Sequence, residues 1–154
     1  MDGRATGLIL ELRHLLKGPS ARVFDALIDP ATLASWWGPR GFTTPTIALD
    51  PTVGGVYRFT MQPPEGDLFH LTGRFLEIEP PRRLVYTFRW EEPDPDDRDT
   101  VVELSLHEVD DGTELALRHG EFATRARLDL HRQGWTESLE KLAALIDSGG
   151  ATGS

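Results

Sequence analysis

The sequence TRARLDLHRQGWTESLEKLAALID, residues 124–147, decides the fold of this protein. At about 100° per residue, an α-helix gathers five of its apolar side chains into a stripe about 60° wide. These are Leu128, Trp135, Leu139, Leu142 and Ile146. His131 and Arg132 flank the stripe instead of facing water, and Gly134 lies inside the helix beside the bulky Trp135. The pattern predicts a long amphipathic helix that covers an apolar surface built by the rest of the chain.

Length and composition favour one globular domain. The chain has 154 residues, a formal net charge of −9 and 27% charged side chains, which is ordinary for a single soluble domain. The acidity disfavours nucleic acid and anionic lipid as partners, because phosphate groups bind to dense basic surfaces. The chain has no cysteine, which excludes disulfides, thiolate catalysis and cysteine-ligated zinc.

The two ends of the chain resemble neither a signal peptide nor a membrane anchor. Residues 1–7 lack the apolar run that follows basic residues in a signal peptide. No stretch approaches the roughly 18 apolar residues that cross a bilayer as a helix. We expect a cytoplasmic protein with one domain at residues 8–147, a flexible N-terminus at 1–7 and a flexible Gly/Ser-rich tail at 148–154.

Alternating apolar residues between turn residues predict seven strands and two short helices. The first strand spans residues 8–16, and the short helices follow at 21–28, with Ser20 as N-cap, and at 31–36. Six more strands are predicted at residues 44–49, 56–62, 68–78, 84–90, 100–109 and 113–119. Strands joined in succession by short turns form an antiparallel meander. The predicted fold class is α+β, a curved seven-stranded antiparallel sheet around the long C-terminal helix.

Six segments, in order along the chain, point to a known family. They are SARVFDALIDP at 20–30, WWGP at 36–39, GG at 54–55, GRFLEIEPP at 73–81, LVYTF at 84–88 and HRQGW at 131–135. Together they resemble the homologues of the activator of the heat-shock-protein-90 ATPase, which belong to the START-like (SRPBCC) superfamily with its helix-grip fold. The resemblance covers roughly Leu10 to Ile146. It implies a cavity between the long helix and the concave face of the sheet, with residues 36–42 near its mouth, and it implies no shared catalytic set.

Most of the aromatic side chains gather toward one side of the predicted sheet and helix. They form either a plain core or an apolar pocket with a few polar groups, which is the usual form of a small-molecule site. On the second interpretation Leu139, Leu142 and Ile146 close the core, and the earlier part of the helix roofs the cavity. The predicted ligand-binding residues are Trp36, Trp37, Phe42, Tyr57, Phe59, Phe75, Tyr86, Phe88, Trp90, Leu128, His131, Arg132 and Trp135.

Histidine is the residue type best suited to acid–base chemistry near neutral pH. His119 and His131 are candidates for a general base, with Glu121 as a carboxylate partner. The alternative is that both histidines only hydrogen-bond and pack. The three residues have suitable ligand types for a metal but no tight spacing, so we predict no metal and no cofactor. The remaining histidines are predicted to face outward: His14, His70 and His107.

Residues 91–99 (EEPDPDDRD) contain six carboxylates in nine positions. A charge run of this kind is usually a solvated loop, and the segment lacks the spacing and the glycine of an EF-hand calcium loop. We therefore predict an exposed hairpin loop.

Three hypotheses about function follow from these patterns. The first is a cytoplasmic domain that binds a hydrophobic or aromatic small molecule in the cavity. The second is an enzyme of the cyclase or hydrolase type that uses a cavity histidine. The third is a protein that interacts with a chaperone. Because the first strand begins by Leu8, we do not expect the additional N-terminal domain through which the eukaryotic co-chaperones contact the chaperone. A homodimer is compatible with all three.

Overall fold

A computed structural model describes residues 8–95 and 97–152. The seven strands are β1 (Leu10–Leu16), β2 (Thr43–Leu49), β3 (Val56–Gln62), β4 (Phe69–Glu79), β5 (Arg83–Trp90), β6 (Thr100–Val109) and β7 (Gly112–Gly120). The three helices are α1 (Ser20–Ile28), α2 (Pro30–Trp36) and α3 (Arg125–Thr152). The flexible segment predicted for residues 1–7 and the last two residues of the predicted tail lie outside the described residues.

The strands form one sheet in the order β1-β7-β6-β5-β4-β3-β2, and every neighbouring pair is antiparallel. This confirms the predicted α+β fold, a curved seven-stranded sheet with a long C-terminal helix. The helix α3 extends to Thr152, beyond the predicted end at Asp147. Among the described residues, no helix combines the length and the apolar character needed to span a bilayer.

The starts of the two short helices differ in how their first N–H groups are satisfied. Asp29 caps α2, since its carboxylate accepts a hydrogen bond from the backbone N–H of Thr32 at 2.9 Å and Pro30 occupies the first turn. The predicted N-cap of α1 is wrong. Ser20 is the first helical residue, Pro19 precedes it, and the backbone N–H of Ser20 donates to the carboxylate of Glu108 on β6.

The apolar stripe predicted on α3 is buried. Each of its five members, Leu128, Trp135, Leu139, Leu142 and Ile146, is at most 5% exposed. At the C-terminal part of the helix, Ile146 packs so closely on the β1–α1 turn that a Cβ at Gly18 would lie 2.7 Å from its Cγ2 atom. The later half of the stripe therefore closes the core, as the sequence predicts.

Gly73 on β4 allows a close crossing of side chain and backbone. Its cross-strand neighbour is Tyr57, whose ring passes over Gly73 so that the hydroxyl donates to the carbonyl oxygen of Thr87 on β5 at 2.6 Å. A Cβ at position 73 would lie 2.6 Å from Cε2 of Tyr57 and closer still to the Thr87 oxygen. The register of β4 against β5 shifts just beyond Gly73, between Phe75 and Glu77.

We expect Gly73→Ala to lower the free energy of unfolding by about 2–4 kcal/mol, because the new methyl group overpacks the sheet and displaces the Tyr57 hydroxyl from its acceptor. Urea denaturation monitored by circular dichroism measures the change. Gly134→Ala in α3 is the matched control. Its Cβ would lie 3.5 Å from Pro39, an ordinary contact, and alanine is about 1 kcal/mol better than glycine within a helix. A Gly73→Ala protein as stable as the wild type would contradict this account.

Candidate functional site

A cavity of about 310 Å³ lies between α3, the loop after α2 and the ends of β3, β4 and β5. Most of its walls are aromatic or aliphatic, and its polar groups gather along one part of the rim. The lining residues are Trp37, Gly38, Pro39, Phe42, Met61, Phe69, Phe88, Trp90, Glu92, Asp94, Asp97, Arg127, Leu130, His131, Gly134, Trp135 and Ser138.

Aromatic contacts fix the shape of the walls. The rings of Trp37 and Trp135 meet edge to face with centroids 5.2 Å apart. The rings of Phe42 and Phe69 lie 6.0 Å apart in the same arrangement, and Phe69 lies 5.3 Å from Trp90. Edge-to-face pairs at these distances are favourable, so each wall is held in place by its neighbour.

The structure brings six of the thirteen sequence-predicted ligand-binding residues to this cavity. They are Trp37, Phe42, Phe88, Trp90, His131 and Trp135. The other seven lie elsewhere. Arg132 is exposed, because it lies about 100° around the helix axis from His131, on the side away from the cavity.

The remaining six are packed in the core: Trp36, Tyr57, Phe59, Phe75, Tyr86 and Leu128. The indole of Trp36 donates to the carbonyl oxygen of Ala26 at 2.9 Å. Tyr57 and Tyr86 border a gap of only about 10 Å³. Burial raises the pKa of both phenols above the ordinary value, so both are neutral hydroxyl groups. These side chains close the interior behind the cavity.

Sequence reasoning missed several lining residues. Met61 shares a strand face with Tyr57 and Phe59, and Phe69 is its cross-strand partner, so the phase of β3 could have identified both. Leu130 falls outside the apolar stripe of α3 and is 54% exposed at the rim. The sequence signal for Leu130 was its position: an apolar side chain outside the buried stripe of the helix can indicate a contact with a ligand. Gly38 and Pro39 lie in the segment that the family resemblance places near the mouth, and Gly134 is the glycine inside the helix, but none of the three is among the predicted ligand-binding residues. Ser138 has no distinctive signal of its own.

His119 is a fully buried member of a hydrogen-bonded chain. The indole Nε1–H of Trp135 donates to Nδ1 of His119 at 3.0 Å, and Nε2 of His119 lies 2.8 Å from Oγ1 of Thr100. The Thr100 hydroxyl donates in turn to the carbonyl oxygen of Phe88 at 3.3 Å. Since Nδ1 accepts, the neutral ring carries its proton on Nε2. Burial lowers the pKa of His119 well below its ordinary value, and His131 lowers it further.

His131 repeats this arrangement with the opposite tautomer. Nε1–H of Trp90 donates to Nε2 of His131 at 3.1 Å, and Nδ1 of His131 lies 2.7 Å from the carbonyl oxygen of Arg127 one helical turn earlier. The neutral ring therefore carries its proton on Nδ1 and donates to that carbonyl. Burial lowers the pKa of His131, although the backbone hydrogen bond to Arg127 opposes the shift.

These bonds leave neither histidine with a ring nitrogen open to a substrate. Each imidazole uses one nitrogen to accept from an indole and the other to donate. Glu121 is exposed and has no part in either chain. The structural interpretation of His119 and His131 therefore accounts for all their polar atoms. Of the other histidines, His107 is exposed, and His14 and His70 are partly buried.

The acidic loop, of which the structure describes residues 91–95 and 97–99, folds against α3 and supplies the polar rim. Its Asp97 side chain is only 8% exposed and accepts from Nη2 of Arg127 at 2.9 Å, while Asp94 accepts from Nη1 at 3.1 Å. Glu92 accepts from both the backbone N–H and Nδ1 of His70. The sequence predicted an exposed loop, and part of it instead forms one side of the cavity mouth.

One group of residues in the described chain has the ligand types and the proximity of a metal site. It consists of His70, Glu91 and Glu92, not the His119, His131 and Glu121 set considered from the sequence. Arg58 already makes two hydrogen bonds of 2.8 Å to the Glu91 carboxylate, and His70 is bonded to Glu92. The cluster is thus a set of hydrogen-bonded side chains at the start of β4 and the end of β5.

The opposite side of the mouth is tied to α3 by Arg40. Its backbone N–H donates to Glu137 at 3.0 Å, and its Nη2 donates to Glu140 at 2.6 Å. These bonds hold the loop that carries Gly38, Pro39 and Phe42 over the helix. The exposed ion pair contributes little by itself, but it fixes the width of the opening.

We expect the protein to lose stability as the pH falls from about 6.5 to about 5. The folded state keeps His119 and His131 neutral, whereas the unfolded chain takes up their protons near the ordinary pKa of about 6.5. Below that pH the unfolded state binds more protons than the folded state, so the free energy of unfolding falls by up to about 1.4 kcal/mol per pH unit for each histidine. Urea denaturation across this range measures the slope.

His131→Gln should flatten this slope by about half, since one of the two buried imidazoles is removed. His107→Gln changes an exposed histidine on β6 and is the matched control. An unchanged slope in His131→Gln would contradict the assignment. The pKa values of Glu91 and Glu92 are also lowered, but protonation of these carboxylates reduces the stability only at a more acidic pH. The main cause of the lowered pKa of Glu91 is its hydrogen bonding to Arg58. For Glu92, burial raises the pKa, but the hydrogen bonds from His70 together outweigh it.

Comparison with known proteins agrees with this architecture. The family model for Activator of Hsp90 ATPase homolog 1-like protein matches residues 17–147. A crystal structure of a Chromobacterium violaceum protein is similar at 30% identity and a TM-score of 0.83, covering 90% of this chain and 96% of that one. The AHSA1 protein of Silicibacter pomeroyi is similar at 30% identity and a TM-score of 0.79, over 90% and 97% of the two chains.

A solution structure of an Arthrobacter aurescens protein shares the fold, with 22% identity and a TM-score of 0.82 over 96% of this chain and 90% of that one. No curated protein matches the chain significantly.

Proposed function

The chain belongs to the family of Activator of Hsp90 ATPase homolog 1-like proteins, and we propose that it binds an apolar or aromatic small molecule in the cavity under α3. The observation that carries this proposal is the cavity itself. Its walls are rings and aliphatic side chains, and its rim reaches solvent at Leu130 and Asp94, which are exposed.

The size of the cavity limits the ligand. Its volume of about 310 Å³ lies at the lower end of the range for small-molecule pockets, about 300–1000 Å³. A ligand of up to three aromatic rings, or a short branched chain, is in proportion to this space. Because the aromatic walls are already held in place by each other, little of the binding free energy is lost to ordering them.

The polar atoms of His131 and Ser138 in the walls are paired within the protein. His131 lines the cavity, but its two nitrogens bond to Trp90 and to the Arg127 carbonyl. The Ser138 hydroxyl donates to the carbonyl of Gly134 at 2.8 Å. A ligand at the walls therefore meets carbon surface, and the hydrophobic effect supplies most of its affinity.

The two other hypotheses have less support from the site. An enzyme using His119 or His131 as a base would first have to break an indole–imidazole hydrogen bond. A chaperone partner is suggested by the family description and stays a prediction. The homodimer and the cytoplasmic location also stay predictions.

Phenylnaphthylamine, an uncharged probe that fluoresces in apolar surroundings, tests the proposal. We expect it to bind with a Kd in the micromolar range, on the order of 1–50 μM for a ligand of this size. Gly134→Leu should weaken binding at least about tenfold, because a Cβ at position 134 would already contact Pro39 at 3.5 Å, so the rest of a leucine side chain would have to extend into the cavity that both residues line.

Ala144→Leu is the matched control, since it adds a larger side chain at an exposed position of the same helix. Its Kd should equal that of the wild type. Binding that is indifferent to Gly134→Leu would place the probe outside the cavity and contradict the proposal, as would the failure of the probe to bind at all.

A further inference from the structure

The rim of the cavity carries more negative than positive charge. Three lining carboxylates, those of Glu92, Asp94 and Asp97, come from the acidic loop. Of the described residues that line the cavity, Arg127 alone carries a basic side chain that is charged at neutral pH, since burial keeps His131 neutral. The carboxylates thus outnumber the cations at the mouth.

Asp97 and Arg127 form the buried part of this arrangement. Their side chains are 8% and 15% exposed and join at 2.9 Å. Asp97 also accepts from the backbone N–H of Asp94 at 2.8 Å. The two charges balance each other, so this pair fastens the acidic loop to α3 and adds no net charge to the rim.

Asp94 and Glu92 remain as the negative charges that a ligand would meet. The Asp94 side chain is 66% exposed. It contacts the Arg127 guanidinium, but the single positive charge of that group is already neutralised by Asp97. The Glu92 side chain is 49% exposed and is held in place by the two hydrogen bonds from His70. These bonds outweigh the effect of burial and lower the pKa of Glu92, so it is ionised at neutral pH.

The rest of the rim does not offset these charges. It consists of Pro39 and Phe42 of the loop after α2 and of Leu130, Gly134 and Ser138 of α3, none of which is charged. The nearest arginine in that loop, Arg40, is bonded to Glu137 and Glu140, so its charge is matched. The rim is therefore polarised, with carboxylates on the acidic loop and uncharged groups on the loop after α2 and along α3.

We propose that the ligand of this cavity is an amine, with its ring or hydrocarbon part inside the aromatic walls and its ammonium group at Glu92 and Asp94. This inference rests on the proposed binding function and specifies its ligand class. The two carboxylates would attract the ammonium group at contact distance. The aromatic faces of Trp37, Trp90 and Phe42 would stabilise this cation further. A ligand carboxylate, such as that of a fatty acid, would be repelled at the same place.

Three indole compounds of nearly equal size test the charge preference in the wild-type protein. Tryptamine is a cation, tryptophol is uncharged and indoleacetate is an anion. Isothermal titration calorimetry should give the order tryptamine, tryptophol, indoleacetate from tightest to weakest. With two partly exposed carboxylates, the cation should bind about tenfold more tightly than the anion. The difference should shrink at high salt, because salt screens exposed charges.

Glu92→Gln should reduce the preference for tryptamine by about threefold and leave tryptophol binding unchanged, since glutamine keeps the shape of the side chain. Asp99→Asn is the matched control. It removes one negative charge from the same loop at a side chain that is 76% exposed and does not line the cavity. Its charge preference should equal that of the wild type.

Equal affinities for the three compounds, or tighter binding of indoleacetate, would overturn the inference while phenylnaphthylamine binding still supported the proposed function. Binding of phenylnaphthylamine together with no binding of any of the three indoles would likewise overturn the inference and leave the proposed function supported. An equal effect of Glu92→Gln and Asp99→Asn would show a general effect of net charge and would also overturn it. Loss of binding by phenylnaphthylamine as well would contradict the proposed function itself.

Discussion

Two hydrogen bonds from indole to imidazole join α3 to the sheet. In one the helix donates, from Trp135 to His119 of β7, and in the other the sheet donates, from Trp90 of β5 to His131. Each bond requires a neutral histidine in one particular tautomer, and a second hydrogen bond on the far side of each ring fixes that tautomer. Breaking either bond would leave a buried polar atom unsatisfied, at a cost of about 1–3 kcal/mol. The helix is thereby held at a defined position over the sheet.

The cavity follows from this attachment. The two bonds fasten the N-terminal half of α3 to β5 and β7, while Arg40 fastens the α2 loop to the outer side of the helix. Between these attachments the aromatic walls support each other without filling the space, and the paired histidines present no free polar atom to it. The rim differs from the walls because the acidic loop packs there through the buried pair of Asp97 and Arg127. The result is an apolar interior with a polar, acidic edge.

The sequence predicted the fold well because its signals are local. Strand alternation, turn residues and the stripe on α3 each depend on near neighbours along the chain. Strand phase, however, gives the face of a residue and not its position along the sheet. Tyr57 and Met61 share one face of β3, yet Tyr57 packs in the core and Met61 lines the cavity at the other end of the strand. The acidic loop is held in position by its ion pairs with Arg127, which lies 33 residues from Asp94 in the sequence. No local sequence pattern indicates so distant a contact.

The nitrogen NMR signals of the histidine side chains test the central claim most directly. In protein labelled with ¹⁵N, the spectrum at neutral pH should show His119 with its proton on Nε2 and His131 with its proton on Nδ1. Both signals should stay in the neutral form as the pH is lowered past the ordinary histidine pKa of about 6.5, for as long as the protein remains folded. A mixture of tautomers at either ring, or protonation of either ring near that pH in the folded protein, would contradict the proposed attachment of α3 and the apolar cavity that depends on it.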